Sequence, residues 1–459
     1  MSAQAMMDTR QAAAAAQGVA RGAVAAFSSV STDSRAVSAG GLFVALRGDR
    51  FDGHDYVRQA HAQGAVAALV SRPVGGCEDV PQIVVDDTRA GLGRLAAAWR
   101  SRFRVPVAAI TGSNGKTTVK EMTAAILAAH AGDAGAVLAT EGNLNNDIGL
   151  PVMLLRLRAS HRYAVLEMGM NHEGEIAYLS RLAAPGVALV NNAQRAHIGL
   201  LGSLEAIARA KGEIYGGLAA DGVALVNADD AHADYWRRLA KGCRLVTFGL
   251  SPSADVRGEM AAGELRLVTP ADAFAVRLRV PGVHNARNAI AACAVAYALG
   301  VPWQAMQAGL AGFTGAKGRL ERKAGRAGSA VIDDTYNANP DSTRAAIAVL
   351  AAMPGRRVLV LGDMGELGEG ALALHAEIGA VARAAGIERL VALGELSAQA
   401  AQAFGDGAAC VTSAEAAAQA AGEGADAATV ILVKGSRFMR MERVVSMLVE
   451  TDKEKPRAA

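Results

Sequence analysis

Aromatic side chains are scarce, at 4% of 459 residues. Large rings therefore cannot fill the cores. Alanine, valine and leucine must do so, with helices packed closely. Cysteine is scarce as well. Cys77, Cys243, Cys293 and Cys410 stand far apart and no two form a C-x-x-C pair. That excludes a disulfide framework and points to reduced thiols and a cytoplasmic setting. No apolar run reaches the ~18 residues of a membrane span. Asp8, Arg10 and Gln11 interrupt the alanine-rich N-terminus, and no basic stretch precedes an apolar one, so no secretory signal is expected. Acids and bases are interspersed, the net charge is +3, and no basic block suggests nucleic acid. The tail Lys453-Glu454-Lys455-Pro456-Arg457 reads as a frayed terminus. Translation could begin at Met1, Met6 or Met7.

What is present is a strand–turn–helix signature. Val105 to Ile110 is an apolar run that reads as a buried strand. Thr111-Gly112-Ser113-Asn114-Gly115-Lys116-Thr117-Thr118 follows, and Val119 to Ala129 is helical in pattern. Backbone N–H groups of such a turn face phosphates, Lys116 adds a mobile charge and Thr117 can hold Mg²⁺. The usual phosphate loop, G-x-x-x-x-G-K-[ST], needs glycine at position 110. Here that residue is Ile110, and the motif is the shorter G-x-x-G-K-T.

The chain length suits about three domains of ~150 residues. Residues 1–88 show short strands at Leu42–Leu46, Ala65–Val70 and Gln82–Val85, with a helix from Tyr56 to Gln63. A helix from Arg89 to Arg102 leads to the phosphate loop. Strands then recur at Tyr163–Glu167, Val187–Asn191, Val223–Asn227 and Leu245–Phe248, which predicts a mostly parallel sheet with helices on both faces. Arg257 to Val280 has period-two character and reads as a small antiparallel insertion. A long helix is expected over Asn285–Leu299. Near residue 320 the alternation restarts: strands at Ala330–Asp333, Arg357–Leu361, Leu390–Leu393 and Thr429–Val433, and helices over Asp341–Met353 and near 371–385. The expected fold is α/β in three domains: a small mixed domain (1–88), a central phosphate-loop domain with a parallel sheet (89–319), and a C-terminal Rossmann-like doubly wound domain (320–459).

Several residues near strand ends carry chemistry. Glu167 closes a strand and is placed either to bind Mg²⁺ or to be a solvated loop acid. His197 follows a strand in the same way. Lys211 looks like a surface lysine on a helix. Asn285 and Asn288 lie one turn apart at a helix opening, as a cap or as nucleotide ligands. Arg319 fits a linker salt bridge or a reach across a cleft to phosphate. Asp333 to Pro340 holds turn formers.

Taken as a set, these segments resemble the Mur ligase family, ATP-dependent amide-forming enzymes of peptidoglycan precursor synthesis. The resemblance rests on the short phosphate loop, Glu-Gly-Asn-Leu-Asn-Asn-Asp-Ile-Gly (141–149), Glu-Met-Gly-Met-Asn (167–171), His-Ile-Gly (197–199), Ala-Lys-Gly-Glu-Ile (210–214), His-Asn-Ala-Arg-Asn (284–288) and Gly-Arg-Leu-Glu (318–321). Thr32–Arg35, Leu42–Gly48, Asp334–Pro340 and Leu361–Gly368 are similar to the member that joins D-alanyl-D-alanine to UDP-N-acetylmuramoyl-tripeptide. The resemblance implies the roles. Gly112, Ser113, Asn114, Gly115, Lys116, Thr117, Thr118, Asn285, Asn288, Arg319 and Asp334 would contact ATP. Thr117, Glu167, His197 and Lys211 would hold two Mg²⁺ ions, Lys211 as a carbamate formed with CO₂. Lys116, His197 and Lys211 would be catalytic. Ser34, Asp49, Arg50, Phe51, Asn143, Asn337 and Asn339 would bind the two peptide substrates. A monomer is expected.

Other readings compete. A folylpolyglutamate synthase-like ligase shares the superfamily, although such enzymes lack a uridine-binding domain. A switch or motor NTPase would use Asp363 as its Mg²⁺-linked acid in the same sheet as Lys116. A non-catalytic nucleotide-binding scaffold would not need Glu167, His197 and Lys211.

Overall fold

The computed structural model describes residues 5–261 and 263–450. The charged tail Lys453–Arg457 lies outside the described residues.

Three parallel-rich sheets follow one another along the chain. The first runs in the spatial order Val19–Arg21, Gln82–Val84, Ala65–Val70, Gly41–Val44, Ser29–Ser31. Only Val19–Arg21 is antiparallel, on the edge. Met7–Asp8 and Ala26–Phe27 form a separate antiparallel pair.

The central sheet has nine strands, ordered Ala273–Val276, Glu264–Val268, Val256–Ala261, Arg244–Gly249, Val223–Asn227, Val187–Val190, Val107–Thr111, Tyr163–Glu167, Val137–Ala139. Its inner strands, such as Val107–Thr111 and Val187–Val190, are fully buried because both faces are covered, whereas the outer strands Val256–Ala261 and Glu264–Val268 carry exposed charges. Along Val107–Thr111 the side chains alternate: Val107 and Ala109 enter one core, Ala108 and Ile110 the other. Helices Lys116–Ala131, Val283–Ala298 and Trp303–Gly312 cover the second of these faces. In Val283–Ala298 the run Ala289–Ala296 is wholly buried, which is how small side chains replace rings in this core. The expected antiparallel segment near 257–280 is present, but it is not a separate insertion. Val256–Ala261 pairs parallel to Arg244–Gly249, so the segment extends the central sheet.

The third sheet is ordered Glu321–Ala324, Ala330–Asp334, Thr429–Lys434, Arg356–Gly362, Arg389–Leu393, Ala408–Val411. All its pairings are parallel except that of the edge strand Glu321–Ala324. The C-terminal ends of its inner strands carry Asp334, Gly362 and Lys434. Those of the central sheet carry Thr111, Glu167 and Val190. In parallel sheets ligands bind at these ends.

Candidate active site

The phosphate loop is fixed by the side-chain amides of Asn191 and Asn192, just past strand Val187–Val190, backed by Asn288 on helix Val283–Ala298. Gly115 has φ +80°, and a Cβ there would stand 2.3 Å from Asn288 Oδ1 and 2.6 Å from Asn191 Nδ2. Only glycine fits both the conformation and the space. Asn191 Nδ2 donates to the Asn114 carbonyl (2.9 Å) and to Asn288 Oδ1 (3.2 Å). Asn114 N–H donates to Asn192 Oδ1, and the Ser113 hydroxyl donates to the Gln194 carbonyl. Asn288 in turn donates to Asn285 Oδ1. Asn285 and Asn288, expected as nucleotide contacts, stand beside the loop. Both are buried behind it, and neither lines the cleft.

The loop opens on a cleft of about 910 Å³ between the central and C-terminal sheets. Lys116, half-buried, bonds back to the carbonyls of Gly112 (2.7 Å) and Ser113 (3.4 Å). Burial pushes its ammonium below the ordinary lysine value, Glu167 opposes this, and Arg319 adds to it. The Thr117 hydroxyl donates to Glu167 Oε2 (2.9 Å), and Asn145 Nδ2 donates to Glu167 Oε1 (2.8 Å). Glu167 is held in turn by the Thr140 hydroxyl on its backbone N–H. Arg319 comes from the segment joining the two sheets. Its Nη2 lies 3.4 Å from Thr117 Oγ1, and its guanidinium stacks 4.1 Å from the Tyr336 ring centroid. Arg319 Nε is buried with no hydrogen-bond partner among the described residues.

Lys211 is 1% exposed on the helix Leu204–Gly212. Burial, and then the nearby Lys116, hold its amine well below the ordinary lysine value. It does not line the cleft. His197 does, with φ +60°. Its Nδ1 lies 2.6 Å from Glu366 Oε2, from the loop after Arg356–Gly362. The imidazole beside it holds the Glu366 carboxyl below the usual range. Among the described residues, no group of three or more His, Cys, Asp or Glu side chains is poised around one metal position.

The C-terminal wall is built from the loop after Ala330–Asp334. Asn337 and Asn339 line the cleft, as does Asn143 opposite. Asn339 caps helix Pro340–Ala351 and donates from Nδ2 to Asn114 Oδ1 (2.7 Å), tying the two sheets together. Asp334 does not line the cleft. It forms a buried ion pair with Lys434 and accepts from Leu320 N–H. Lys434, Asn191, Asn192 and Gln194 escaped the sequence reading. Only the position of each at the end of a parallel strand marked it. Asp363 lies in the C-terminal sheet and accepts from Ser397 N–H, apart from the sheet that carries Lys116.

Ser34, Asp49, Arg50 and Phe51 lie in loops beside the N-terminal sheet and do not line this cleft. Phe51 is 55% exposed at the tip of a tight loop. The base of that loop is pinned by Asp52, which bonds His54 and Arg72.

Three family models match: the Mur ligase family catalytic domain over residues 26–100, the Mur ligase middle domain over 110–296, and the Mur ligase glutamate ligase domain over 318–437. UDP-N-acetylmuramoyl-tripeptide–D-alanyl-D-alanine ligase of Escherichia coli is 44% identical over 444 residues, covering 94% of this chain and 95% of that one. A crystal structure of MurF from Acinetobacter baumannii superposes with a TM-score of 0.87 at 38% identity, covering 95% of this chain and 97% of that one. MurF ligase from Thermotoga maritima in complex with ADP gives 0.79 at 27% identity, over 91% of this chain and 96% of that one.

Proposed function

The chain belongs to the Mur ligase family, and from that we propose its reaction: ATP-dependent joining of D-alanyl-D-alanine to UDP-N-acetylmuramoyl-tripeptide, giving the pentapeptide, ADP and phosphate. The observation that carries this is the single cleft that holds the phosphate loop on one wall and the Asn337–Asn339 loop on the other. The identity of 44% along 94% of the chain selects this reaction over the folylpolyglutamate alternative.

The residues fit the nucleotide. Gly115 lets the loop turn left-handed against Asn288 and Asn191, the orphaned Arg319 Nε offers a donor, and Lys116 sits on the loop's own carbonyls, from which a phosphate could draw it. Thr117 and Glu167 present a hydroxyl and a carboxylate side by side, which suits a first Mg²⁺ completed by phosphate oxygens and water. A second ion at His197 and Lys211 fits only if Lys211 changes sign. A buried, neutral amine is the form that reacts with CO₂. The carbamate would also replace the repulsion between Lys211 and Lys116 by attraction. Mg²⁺, when bound, neutralises charge on the transferring phosphoryl.

A peptide carboxylate is a poor electrophile, so it is first activated as an acyl phosphate; the dipeptide amine then attacks it and phosphate leaves. Lys116 and Arg319 steady the negative charge of the transferred group. The loops carrying Asn337, Asn339 and Glu366 close the cleft from the C-terminal side and exclude the water that would hydrolyse the intermediate. In this reading residues 1–88 bind the uridine nucleotide through Ser34, Asp49, Arg50 and Phe51. Residues 89–319 bind ATP and residues 320–459 receive the dipeptide. Asn285, Asn288 and Asp334 act from behind, by holding the loops. The enzyme is a cytoplasmic monomer in this reading.

Phosphate release measured with ATP, UDP-N-acetylmuramoyl-tripeptide and D-alanyl-D-alanine tests it. Turnover must need all three. Silence with this pair, or full hydrolysis of ATP alone, overturns the reading.

A further inference from the structure

Two ends of the dipeptide need recognition: the amine that reacts and the carboxylate that does not. The cleft's cations divide by position. Lys116 is folded on the phosphate loop, Lys120 is buried against the Thr140 carbonyl and Glu121, and Arg319 is stacked on Tyr336 beside Thr117. Lys317 lies in the joining segment, two residues from Arg319. Beyond residue 320, Arg437 is the one cation among the described residues that lines the cleft. It follows strand Thr429–Lys434 and sits close enough to Tyr336 to act on its phenol electrostatically.

Arg437 is also unspent. It makes one hydrogen bond, Nη1 to Glu442 Oε1 at 3.1 Å, and its side chain is 64% exposed. Glu442 Oε2 is buried and has no hydrogen-bond partner among the described residues. A guanidinium held by one nitrogen keeps an open edge, and that edge matches a carboxylate with two parallel bonds. The backbone before it is firm. Ser436 accepts from Gly365 N–H and donates to the Ala338 carbonyl, so Arg437 emerges from a junction of three loops. We propose that Arg437 is the anchor for the free C-terminal carboxylate of the incoming dipeptide, with Glu442 holding the guanidinium in place until the dipeptide arrives. Arg437 thereby selects a dipeptide that ends in a free acid. This rests on the ligase reading above and names a residue for it.

The test compares D-alanyl-D-alanine with its C-terminal amide in steady-state phosphate release, for the wild-type enzyme and for Arg437→Ala, Arg437→Lys and Lys317→Ala. A charge-assisted hydrogen bond predicts that the wild type favours the free acid by about 10- to 100-fold in kcat/KM. Arg437→Ala loses that preference through KM for the dipeptide, while KM for ATP and for the uridine substrate holds. Arg437→Lys recovers part of it. If Arg437→Ala keeps the full preference, or if Lys317→Ala is the variant that loses it, the assignment is overturned while the reaction stands. If the wild type turns over neither dipeptide, the reaction and the anchor fall together.

Discussion

Lys211 shows how a residue can be conspicuous in space and silent in sequence. On its helix it reads as one more basic side chain of the last turn. In the folded chain it is buried beside the charge of Lys116. Its amine is depressed relative to the unfolded chain, so below pH 10.5 the unfolded state holds more protons there than the folded state does. Without CO₂, stability should therefore fall as pH drops from 10.5 toward the lowered value. Lys211→Met removes that penalty. In bicarbonate-free buffer it should melt higher than the wild type at neutral pH, with the gap closing toward pH 10.5. An unchanged gap across that range speaks against the depressed amine. Lys211→Ala should be inactive and stay so with added bicarbonate, whereas wild type equilibrated with labelled bicarbonate should show the label on this lysine in its spectrum. Normal turnover by Lys211→Ala would remove the carbamate from the scheme. Lys434 was missed for the same reason. Its strand is apolar, and nothing local foretells that its amine meets Asp334, a hundred residues away in the chain.

At the scale of elements the reading was better, because period and punctuation are local. The strands Ala65–Val70, Tyr163–Glu167 and Val223–Asn227 match their expected limits. The helix expected over Asp341–Met353 runs from Pro340 to Ala351, with Asn339 as its cap accepting from Ser342 N–H. What the local pattern cannot show is that this cap serves a second partner, Asn114 on the phosphate loop. Asn339→Ala should cost about 1 kcal/mol in the C-terminal unit as a lost cap, read by denaturant unfolding. It should also weaken nucleotide binding, which a cap alone would not touch. Gly115→Ala is the opposite case. It should leave the sheets intact by circular dichroism and abolish nucleotide binding by calorimetry, because the new methyl group lies on Asn288 and the backbone is left-handed. The period-two segment near 257–280 was legible as antiparallel. Its parallel join to Arg244–Gly249 was not, since pairing partners leave no mark on periodicity.

At the scale of the whole molecule specific ion pairs and hydrogen bonds join the central and C-terminal units, and here sequence says least. Arg195, just past a central strand, pairs with Asp341 at 2.6 Å and Glu377 at 3.1 Å on the C-terminal unit. Arg344 shares Glu377. Those acids raise the Arg195 guanidinium above its ordinary value. Arg195→Ala should loosen docking by about 1–3 kcal/mol, the loss of charge-assisted hydrogen bonds. Small-angle scattering should then show a larger radius of gyration, and kcat should fall with KM for ATP little changed. An unaltered radius and rate would show that docking does not rest on Arg195.

Another tie between the same units is narrower still. Gly199 N–H bonds the Glu366 carbonyl, and a Cβ on Gly199 would stand 2.3 Å from the backbone nitrogen of Gly368. A clash between side chains can be undone by trimming the neighbour. A clash with backbone cannot, since every residue carries the same backbone. No second substitution at position 368 can rescue a first one at 199. At this point the two units constrain each other through backbone alone.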